Sequence, residues 1–387
     1  MKICLISNLY APHSRGGAEK VAESMARGLR SAGQDVFVIS TKPQFGFKKE
    51  ILNNIPIYRF KPLNLFYYLN DFKHNAVVRL FWHFIDMFNM HSAFVVNKTL
   101  KKEKPDFIIT HNLKGIGLLI PLIVKKIKIK HLHILHDVQL SVPSGLIIKG
   151  NEKSFVVNGL PTKIYEFLCK KLFDSPESVV SPSQWLMDFY VDKGFFLNSK
   201  KTILRNPIDF ISHEQTRMRT NKFLFAGQLE KHKGIEWLID IWQKNNIASE
   251  LLVAGNGSWS ADIKNEKIKF LGKLNQSELN EALAQSDFLI LPSLCYENSP
   301  TIIPISYANS TPVIAADIGG TAELVDEGKT GFIFTAGDSD SFLNAFSRAR
   351  SLSPEELTLM KKNSFEKSAD YDFKKYIAII LNLLKCN

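Results

Sequence analysis

The sequence predicts an α/β protein made of two similar units with parallel sheets. Short apolar runs alternate with amphipathic helical stretches along the 387 residues, which is typical of βαβ units. The alternation begins again after the segment Arg205-Asn206-Pro207-Ile208-Asp209, and the chain is long enough for two hydrophobic cores. We therefore expect a first domain over residues 1–205, a second over 206–370, and a terminal helix at about 371–387.

The position of each apolar run sets the predicted elements. Short β-rich runs are assigned to strands, and longer stretches with apolar residues at helical intervals are assigned to helices. In the first domain the strands are predicted at residues 3–7, 35–40, 107–110 and 134–136, and a helix at 18–30. In the second domain the strands are predicted at 223–226, 250–254, 267–271, 288–291 and 311–315, and helices at 234–244 and 276–285.

Residues 72–104 form the longest predicted helix. We expect its apolar face to pack in the core of the first domain and not against a membrane. The residues of this face recur at helical intervals and are Val77, Leu80, Phe81, Phe84, Phe88 and Val95.

The overall composition is that of an ordinary globular protein, with 45% hydrophobic and 22% charged residues. No apolar run approaches the roughly 18 residues that a membrane span requires. The N-terminal run Ile3–Ile6 is too short for the core of a signal peptide, so we expect a cytoplasmic protein. The four cysteines have neither metal-binding nor redox spacing, and we assign them no chemistry: Cys4, Cys169, Cys295 and Cys386.

The net charge of +11 is concentrated in the first half of the chain. Residues 1–205 contain 30 Lys and Arg against 15 Asp and Glu, whereas the remainder contains 19 against 23. Basic residues beside aromatic ones suit an anionic membrane surface or an anionic acceptor, which would place the protein at the inner face of the plasma membrane. A solvated lysine-rich surface is an equally valid interpretation. Nucleic acid is disfavoured as a partner because no helix-turn-helix, zinc-finger or RNP-like pattern accompanies the charge.

Ligands of open parallel sheets bind beyond the carboxyl ends of the strands, so the loops after the predicted strands are the candidate site. Gly16 and Gly17 open the first helix and would let backbone amides approach a diphosphate. Neither this loop nor Gly255-Asn256-Gly257 has the G-x-G-x-x-G spacing of a dinucleotide-binding dehydrogenase. His136 follows another strand, where an imidazole can hydrogen-bond a sugar, although a structural role is as good an interpretation.

Two loops of the second domain carry charged residues at similar positions. Lys233 precedes a helix start, where the helix dipole disfavours a cation unless an anion is also bound. Glu297 precedes Asn298-Ser299-Pro300-Thr301, in which Asn298 or Ser299 is predicted to cap a helix that has Pro300 at its first position. A carboxylate and free amides together suit a phosphorylated sugar, while the alternative is simply a capped helix.

The order of these motifs along the chain resembles glycosyltransferase family 4. The specific part runs from Glu297-Asn298-Ser299-Pro300-Thr301 to Thr311-Pro312-Val313-Ile314-Ala315, and the other matching segments are residues 16–19, 136–137, 206–209, 227–234, 255–257 and 319–323. The resemblance implies a GT-B fold, in which two Rossmann-like domains with parallel sheets face a central cleft and the C-terminal helix crosses back to the N-terminal domain. It also implies a nucleotide-sugar donor, no metal or other cofactor, and retention of anomeric configuration.

The resemblance implies roles for individual residues. Gly16 and Gly17 would contact the donor diphosphate or the acceptor, and His136 would touch the donor sugar. Lys233 would neutralise the diphosphate and Glu297 would hold a sugar hydroxyl, so the predicted catalytic residues are His136, Lys233 and Glu297. The other predicted donor-binding residues are Gln228, Gly255, Lys273, Asn298, Ser299, Pro300, Thr301 and Ile305.

Two positions depart from the family pattern. Gln228 stands where the family commonly has arginine, and Ile305 stands where a second glutamate normally accepts the ribose hydroxyls. Losing such charge-assisted hydrogen bonds would cost about 1.5–3 kcal/mol each. The adjacent Pro304 removes an amide and is predicted to kink the helix.

These features predict a glycosyltransferase that acts on a lipid-linked or polysaccharide acceptor, as in polysaccharide or lipopolysaccharide synthesis. The alternative is a degenerate family member that binds a sugar nucleotide or a protein partner without turnover. A phosphorylase is disfavoured because we identify no cofactor lysine, and an epimerase is disfavoured because it would show a different placement of carboxylates and histidines. A metal-dependent transferase is disfavoured because the D-x-D segment Asp338-Ser339-Asp340 is predicted to cap a helix.

Overall fold

The computed structural model of the protein describes residues 1–14, 16–209, 218–260, 263 and 265–385, without the side chains of Phe72 and Ala76. Cys386 and Asn387, the last two residues of the predicted terminal helix, lie outside this set, as does Arg15, which precedes the paired glycines. The other three cysteines are free thiols and are buried.

The chain divides into two compact units. Unit 1 contains residues Met1–Leu146, Lys153–Arg205 and Phe373–Asn387, and unit 2 contains Ile147–Glu152 and Asn206–Asp372. The sequence placed residues 147–152 in the first domain, but they belong to unit 2 because Ile148 forms a β-bridge with Cys295. The terminal segment belongs to unit 1.

Unit 1 is built around an eight-stranded sheet in the order β3-β4-β2-β1-β5-β6-β7-β8, in which only the edge strand β3 pairs antiparallel among the described pairings. Its strands are β1 Lys2–Ile6, β2 Asp35–Thr41, β3 Phe47–Leu52, β4 Ile55–Phe60, β5 Phe107–Thr110, β6 Lys130–Ile134, β7 Ser178–Ser181 and β8 Lys200–Ile203. Its first seven helices are α1 Gly17–Ser31, α2 Ala76–Met87, α3 Met90–Glu103, α4 Ile120–Lys126, α5 Phe155–Asn158, α6 Leu160–Phe173 and α7 Gln184–Asp192.

Unit 2 is built around a six-stranded sheet in the order β11-β10-β9-β12-β13-β14, with parallel pairings. Its strands are β9 Lys222–Ala226, β10 Glu250–Ala254, β11 Ile268–Gly272, β12 Phe288–Leu291, β13 Val313–Asp317 and β14 Gly331–Thr335. Its helices are α8 Ile235–Lys244, α9 Gln276–Ala284, α10 Ile302–Ala308, α11 Ser339–Ser351 and α12 Pro354–Lys367. The strand order changes direction between β9 and β12, and such a switch point is where open α/β sheets bind ligands.

The last helix, α13 Phe373–Lys385, completes the core of unit 1. Tyr376, Ile377 and Ile380 are buried in the same cluster as Met25 and Leu29 of α1. The two helices touch at Gly28, where a Cβ atom would lie 2.6 Å from Ile377 Cγ1. The glycine therefore allows the close contact.

The long helix predicted over residues 72–104 is interrupted. The structure has α2 and α3 with a break at Phe88 and Asn89, because the Asn89 side chain accepts the Ser92 N–H at 2.9 Å and starts a new helix. The prediction that its apolar face is buried was wrong for α2, since the side chains of Val77, Leu80, Phe81 and Phe84 are 57–63% exposed. Trp82 and Met87 occupy the buried side instead.

Asp338 caps α11 by accepting the Ser341 N–H at 3.0 Å, so the D-x-D segment forms the predicted helix cap. Within the described residues, none of the helices combines the length and apolar character that crossing a bilayer requires.

The start of β14 gives a test of this packing. A Cβ atom at Gly331 would lie 1.9 Å from the Val313 carbonyl oxygen of β13, whereas one at Gly328 would meet no atom within 4 Å. We expect Gly331→Ala to lower the free energy of unfolding by about 2–4 kcal/mol through this clash. Gly328→Ala, the control, has a φ of 73° and should cost about 1 kcal/mol. Equal losses in urea unfolding would contradict the described contact between β13 and β14.

Candidate functional site

The loops after β9 and β12 bring Lys233 and Glu297 together at the switch point of unit 2. Lys233 ends a 3₁₀ turn, Lys231–Lys233, that precedes α8, and Glu297 follows β12 by six residues. The Lys233 Nζ donates a hydrogen bond to Glu297 Oε1 at 2.6 Å, and both side chains are largely buried. The two charges predicted from separate loops thus form one ion pair.

The Glu297 backbone is fixed by the loop after β13. Glu297 forms a parallel β-bridge with Gly319, and its carbonyl oxygen accepts the Gly320 N–H at 2.7 Å. A Cβ atom at Gly319 would lie 2.1 Å from the Glu297 oxygen, and its φ of 65° also favours glycine. The paired glycines of the 317–323 segment therefore position the acid.

The Glu297 carboxylate is held by one of its two oxygens. Oε1 accepts hydrogen bonds from Lys233 and from the Ser293 hydroxyl at 2.8 Å, and the Cys295 sulfur lies 3.9 Å away. Within the part of the chain that the structure describes, the hydrogen bonds to this carboxylate all go to Oε1. Oε2 accepts none of the described hydrogen bonds.

Charge and burial set the protonation of the groups around Glu297. Burial lowers the pKa of Lys233, but the negative charge of Glu297 and its hydrogen bond outweigh burial, so the pKa is raised above its ordinary value. Burial and the charge of Glu297 raise the pKa of Cys295 to about 12. Lys233 is therefore a cation and Cys295 a neutral thiol at neutral pH.

Glycines pack the neighbouring loops against one another. A Cβ atom at Gly234 would lie 1.9 Å from the Pro292 carbonyl oxygen, and one at Gly255 would lie 1.8 Å from the Gly227 oxygen. The φ angles of Gly234 and Gly255 are 77° and 144°, which side chains disfavour. The loops after β9, β10 and β12 are thus in backbone contact, and Gln228 lies within this group of loops.

The segment after Glu297 differs from its prediction. α10 begins at Ile302 with Thr301 as its N-cap, and no side chain caps it, so the predicted cap at Asn298 or Ser299 and the predicted first position of Pro300 are wrong. The Ser299 carbonyl oxygen accepts a hydrogen bond from the Asn206 side chain at 3.3 Å, which holds the turn in a non-helical conformation. Residues 298–301 therefore connect Glu297 to α10.

The two departures from the family pattern have clear structural positions. Pro304 is the third residue of α10, where helix amides have no partner within the helix, so a kink is not required. Ile305 is half-buried and packs against an apolar cluster of unit 2. Lys273 is exposed directly after the edge strand β11, whose last residue, Gly272, accepts the Gly255 N–H at 2.8 Å.

In unit 1 the paired glycines begin α1. Gly16 is the N-cap and Gly17 the first residue of the helix. The Gly16 N–H donates to the carboxylate of Glu19 at 2.9 Å, and Glu19 is buried. An anion at this helix start would therefore meet a carboxylate as well as backbone amides.

His136 lies in the loop after β6 and forms a hydrogen bond with a second histidine. β6 ends at Ile134, so the predicted strand at 134–136 was placed too late. His136 Nε2 lies 2.8 Å from Nδ1 of His111, which follows β5 and is buried. Burial lowers the pKa of His136 to about 4 and that of His111 well below its ordinary value, so both rings are neutral and one donates to the other.

Asp137 completes a polar cavity beside this pair. Its carboxylate accepts the Gln139 N–H at 2.8 Å and the Asn112 side-chain amide at 3.2 Å, and burial raises its pKa to about 6. His111, Asn112 and Lys114 also line the cavity. The sequence interpretation missed His111 and Asn112, although both directly follow the predicted strand 107–110.

The predicted site residues fall in both units. Gly16, Gly17 and His136 belong to unit 1, and their approach to Lys233 and Glu297 of unit 2 stays a prediction. Among the described residues, no group of three or more His, Cys, Asp or Glu side chains is arranged to hold a metal ion.

Comparisons with known proteins point to one family. The family profile described as Glycosyltransferase Family 4 matches residues 15–210, and the profile described as Glycosyl transferases group 1 matches residues 220–351. An uncharacterized 42.6 kDa protein in the cps region of Klebsiella pneumoniae is 24% identical over 330 residues, which are 84% of this chain and 87% of that protein.

Solved structures with low sequence identity share the fold. Sucrose-phosphate synthase from Thermosynechococcus elongatus has a TM-score of 0.74 at 16% identity, covering 99% of this chain and 98% of its own. Anabaena Alr3699/HepE in complex with UDP-glucose has a TM-score of 0.71 at 17% identity, covering 100% of both chains.

The buried histidines of unit 1 predict how its stability depends on pH. Burial strongly lowers the pKa of five histidines and lowers that of the partly exposed His13 to a smaller degree. The five therefore stay neutral in the folded state, while the unfolded state binds protons below about pH 6.5. Asp86 and Asp137, with pKa values raised to about 7 and 6, act in the opposite direction. The histidines are the larger group, and they are His83, His111, His131, His133 and His136.

We therefore expect unit 1 to lose stability as the pH falls from 7 to 5, by about 1.4 kcal/mol per pH unit for each histidine not offset by an acid. Scanning calorimetry at both pH values measures the change, and His131→Gln should reduce it. A midpoint that rises at pH 5 would show that the buried acids dominate.

Proposed function

The chain belongs to glycosyltransferase family 4 and has the GT-B fold, and we propose that it is a retaining, metal-independent enzyme that uses a nucleotide diphosphate sugar. Its acceptor is a lipid-linked or polysaccharide molecule at the cytoplasmic face of the membrane. The observation that carries this proposal is the ion pair between Lys233 and Glu297 at the switch point of unit 2.

Lys233 stabilises the negative charge that develops on the departing diphosphate. Its ammonium group is charged, because the pKa is raised, and it is already oriented by Glu297 before any ligand binds. A preoriented cation in a partly buried site stabilises a transition state more than a solvated one does. The donor phosphate either binds Lys233 together with Glu297 or replaces Glu297 as the partner of Lys233.

Glu297 orients the donor sugar. Oε1 is anchored by Ser293 as well as by Lys233, so the carboxylate stays in place when Lys233 turns towards a phosphate. Oε2 then accepts a hydrogen bond from a sugar hydroxyl group. The backbone bridge between Glu297 and Gly319 keeps the carboxylate in position. Hydrogen bonds to a charged group contribute about 1.5–3 kcal/mol each.

The donor class and the stereochemistry rest on different support. The solved structure of Anabaena Alr3699/HepE contains UDP-glucose, and the fold that it shares with this chain favours a nucleotide-sugar donor here too. We propose retention because the family resemblance implies that the departing phosphate takes the acceptor proton, so that no side-chain base is required. His136, neutral and supported by His111, would then hydrogen-bond the donor sugar.

A second candidate function is binding of a sugar nucleotide without turnover. Its support is the pair of departures at Gln228 and Ile305, since the Ile305 side chain packs on apolar residues and has no oxygen or nitrogen to bind a ribose. Calorimetry with UDP and GDP, followed by incubation of radiolabelled nucleotide sugars with lipid extracts, separates the two candidates. Transfer or donor hydrolysis supports the enzyme, and binding without either supports the second candidate.

Lys233 can be tested against a neighbouring lysine. We expect Lys233→Met to lower kcat/KM about 100- to 1,000-fold, because it removes a cation from the developing phosphate charge. Lys231→Met changes an exposed lysine of the same 3₁₀ turn and should leave kcat/KM within about twofold. Similar losses in both variants would mean that Lys233 has no special role in catalysis.

Ile305 can be tested in the same way. If the ribose contact is merely missing, Ile305→Glu should tighten UDP or GDP binding by about tenfold, the effect of about 1.4 kcal/mol. Ile302→Glu is the matched control, because Ile302 is also half-buried on α10 and packs against the same cluster. Calorimetry that shows no gain for Ile305→Glu, or an equal gain for both, would mean that this position no longer serves a ribose.

A further inference from the structure

The outward face of α2 is apolar. Val77, Leu80, Phe81 and Phe84 stand at positions i, i+3, i+4 and i+7 of one helix face and are 57–63% exposed, although other residues attach the helix to unit 1. The attachment comes from Trp82, which is buried and donates its indole N–H to the Phe66 carbonyl oxygen at 2.8 Å. A soluble helix ordinarily turns this face inward, so the exposed stripe requires a separate explanation.

A second apolar stripe lies on α5 and α6. Its five residues are 51–73% exposed, while Tyr165 and Cys169 of α6 are buried in unit 1. The stripe consists of Phe155, Val156, Leu160, Ile164 and Phe167.

The two stripes belong to neighbouring helices. The ring of His83 on α2 lies 6.1 Å from the ring of Tyr165 on α6, in an edge-to-face contact. Leu80 and Phe84 flank His83, and Ile164 adjoins Tyr165. We refer to the exposed side chains of the two stripes together as the α2–α6 surface.

The exposed charges on α2 and α6 themselves are positive, and Asp174, which directly follows α6, is exposed and paired with Lys125. Arg79 on α2 and Lys163 and Lys171 on α6 are exposed, and the Lys171 ammonium lies 5.8 Å from the centre of the Phe167 ring. The acidic side chains of these helices are buried or paired. Asp86 is buried, and Glu166 accepts hydrogen bonds from Lys193 at 2.9 Å and Ser141 at 2.6 Å. Cations therefore border the apolar side chains without exposed carboxylates on the same two helices.

We propose that the α2–α6 surface docks unit 1 on a bilayer that contains anionic phospholipid. The exposed aromatic and aliphatic side chains enter the boundary between headgroups and acyl chains, while Arg79, Lys163 and Lys171 meet the lipid phosphates. A second copy of the chain fits less well, because two such surfaces would place like charges opposite each other. The inference rests on the proposed function for the location of the acceptor, but the binding it predicts does not depend on catalysis.

Vesicle flotation tests this surface directly. The full chain should float with vesicles of phosphatidylcholine and phosphatidylglycerol at least tenfold more strongly than with phosphatidylcholine alone. The double variant Phe81→Ser and Phe84→Ser should lose at least tenfold of this binding. Its matched control is Phe270→Ser and Leu359→Ser, which changes side chains of unit 2 that are 44% and 59% exposed and should bind as the wild type does.

Substitution of the cations tests the electrostatic part of the binding. Arg79→Gln with Lys163→Gln should weaken flotation with the anionic vesicles, whereas Lys231→Gln with Lys244→Gln, which are exposed lysines of unit 2, should not. Circular dichroism melts confirm that each variant is folded before flotation is compared.

Three results would overturn the proposal. They are equal flotation with neutral and anionic vesicles, unchanged flotation of the folded Phe81 and Phe84 variant, and a wild-type dimer in light scattering that this variant dissociates. Donor hydrolysis, measured without lipid, reports on the proposed function separately. If the chain floats but does not hydrolyse donor, the docking proposal holds and the enzymatic proposal is contradicted. If it hydrolyses donor but does not float, only the docking proposal is contradicted.

Discussion

The contact of backbone with backbone at the carboxyl ends of the unit 2 strands is the constraint on which the candidate site depends. Gly234, Gly255 and Gly319 each lie so near a carbonyl oxygen of an adjacent loop that no side chain could be accommodated. These contacts join the loops after β9, β10, β12 and β13 into one rigid group. Lys233 and Glu297 are therefore held by backbone geometry as well as by their mutual attraction.

The ion pair and the loop contacts together fix the geometry of the site. A partly buried pair gains little net stability, because removing two charges from water offsets much of their attraction. Its value lies in geometry: Ser293 and Gly320 fix Glu297, which in turn fixes the ammonium group of Lys233. In unit 1 the paired rings of His111 and His136 show the same arrangement, in which one buried group orients another.

Sequence patterns predicted the most continuous apolar strands well and missed others, since β4, β7 and β14 are also mostly buried and were not predicted. The strands at 107–110, 250–254 and 288–291 have their predicted bounds because buried parallel strands are continuous apolar runs. The antiparallel strand β3 was not predicted, since its sequence Phe47–Leu52 is mostly exposed and charged. Periodicity also cannot tell which side of a helix faces the core, and for that reason the outward face of α2 was assigned to the interior.

The candidate site, like the fold, was predicted only in part. Lys233 and Glu297 were named from loop positions, and their pairing depends on the strand order, which places β9 beside β12 although 61 residues separate Ala226 from Phe288. His111 also follows a predicted strand but was missed, because its hydrogen bond to His136 joins residues 25 positions apart and depends on the fold. The assignment of residues 147–152 to unit 2 depends on a bridge to Cys295 that no local pattern reveals.

The path of the chain through unit 2 has a consequence for synthesis on the ribosome. Residues 206–372 enter and leave this unit side by side, since Ile208 forms a β-bridge with Asp372 and donates its N–H to the Tyr371 carbonyl oxygen at 3.0 Å. Unit 1, by contrast, needs α13 against α1, and α13 is made after every other described element. The nascent chain can therefore fold unit 2 first. The apolar face of unit 1 that α13 covers stays exposed until α13 has left the ribosome.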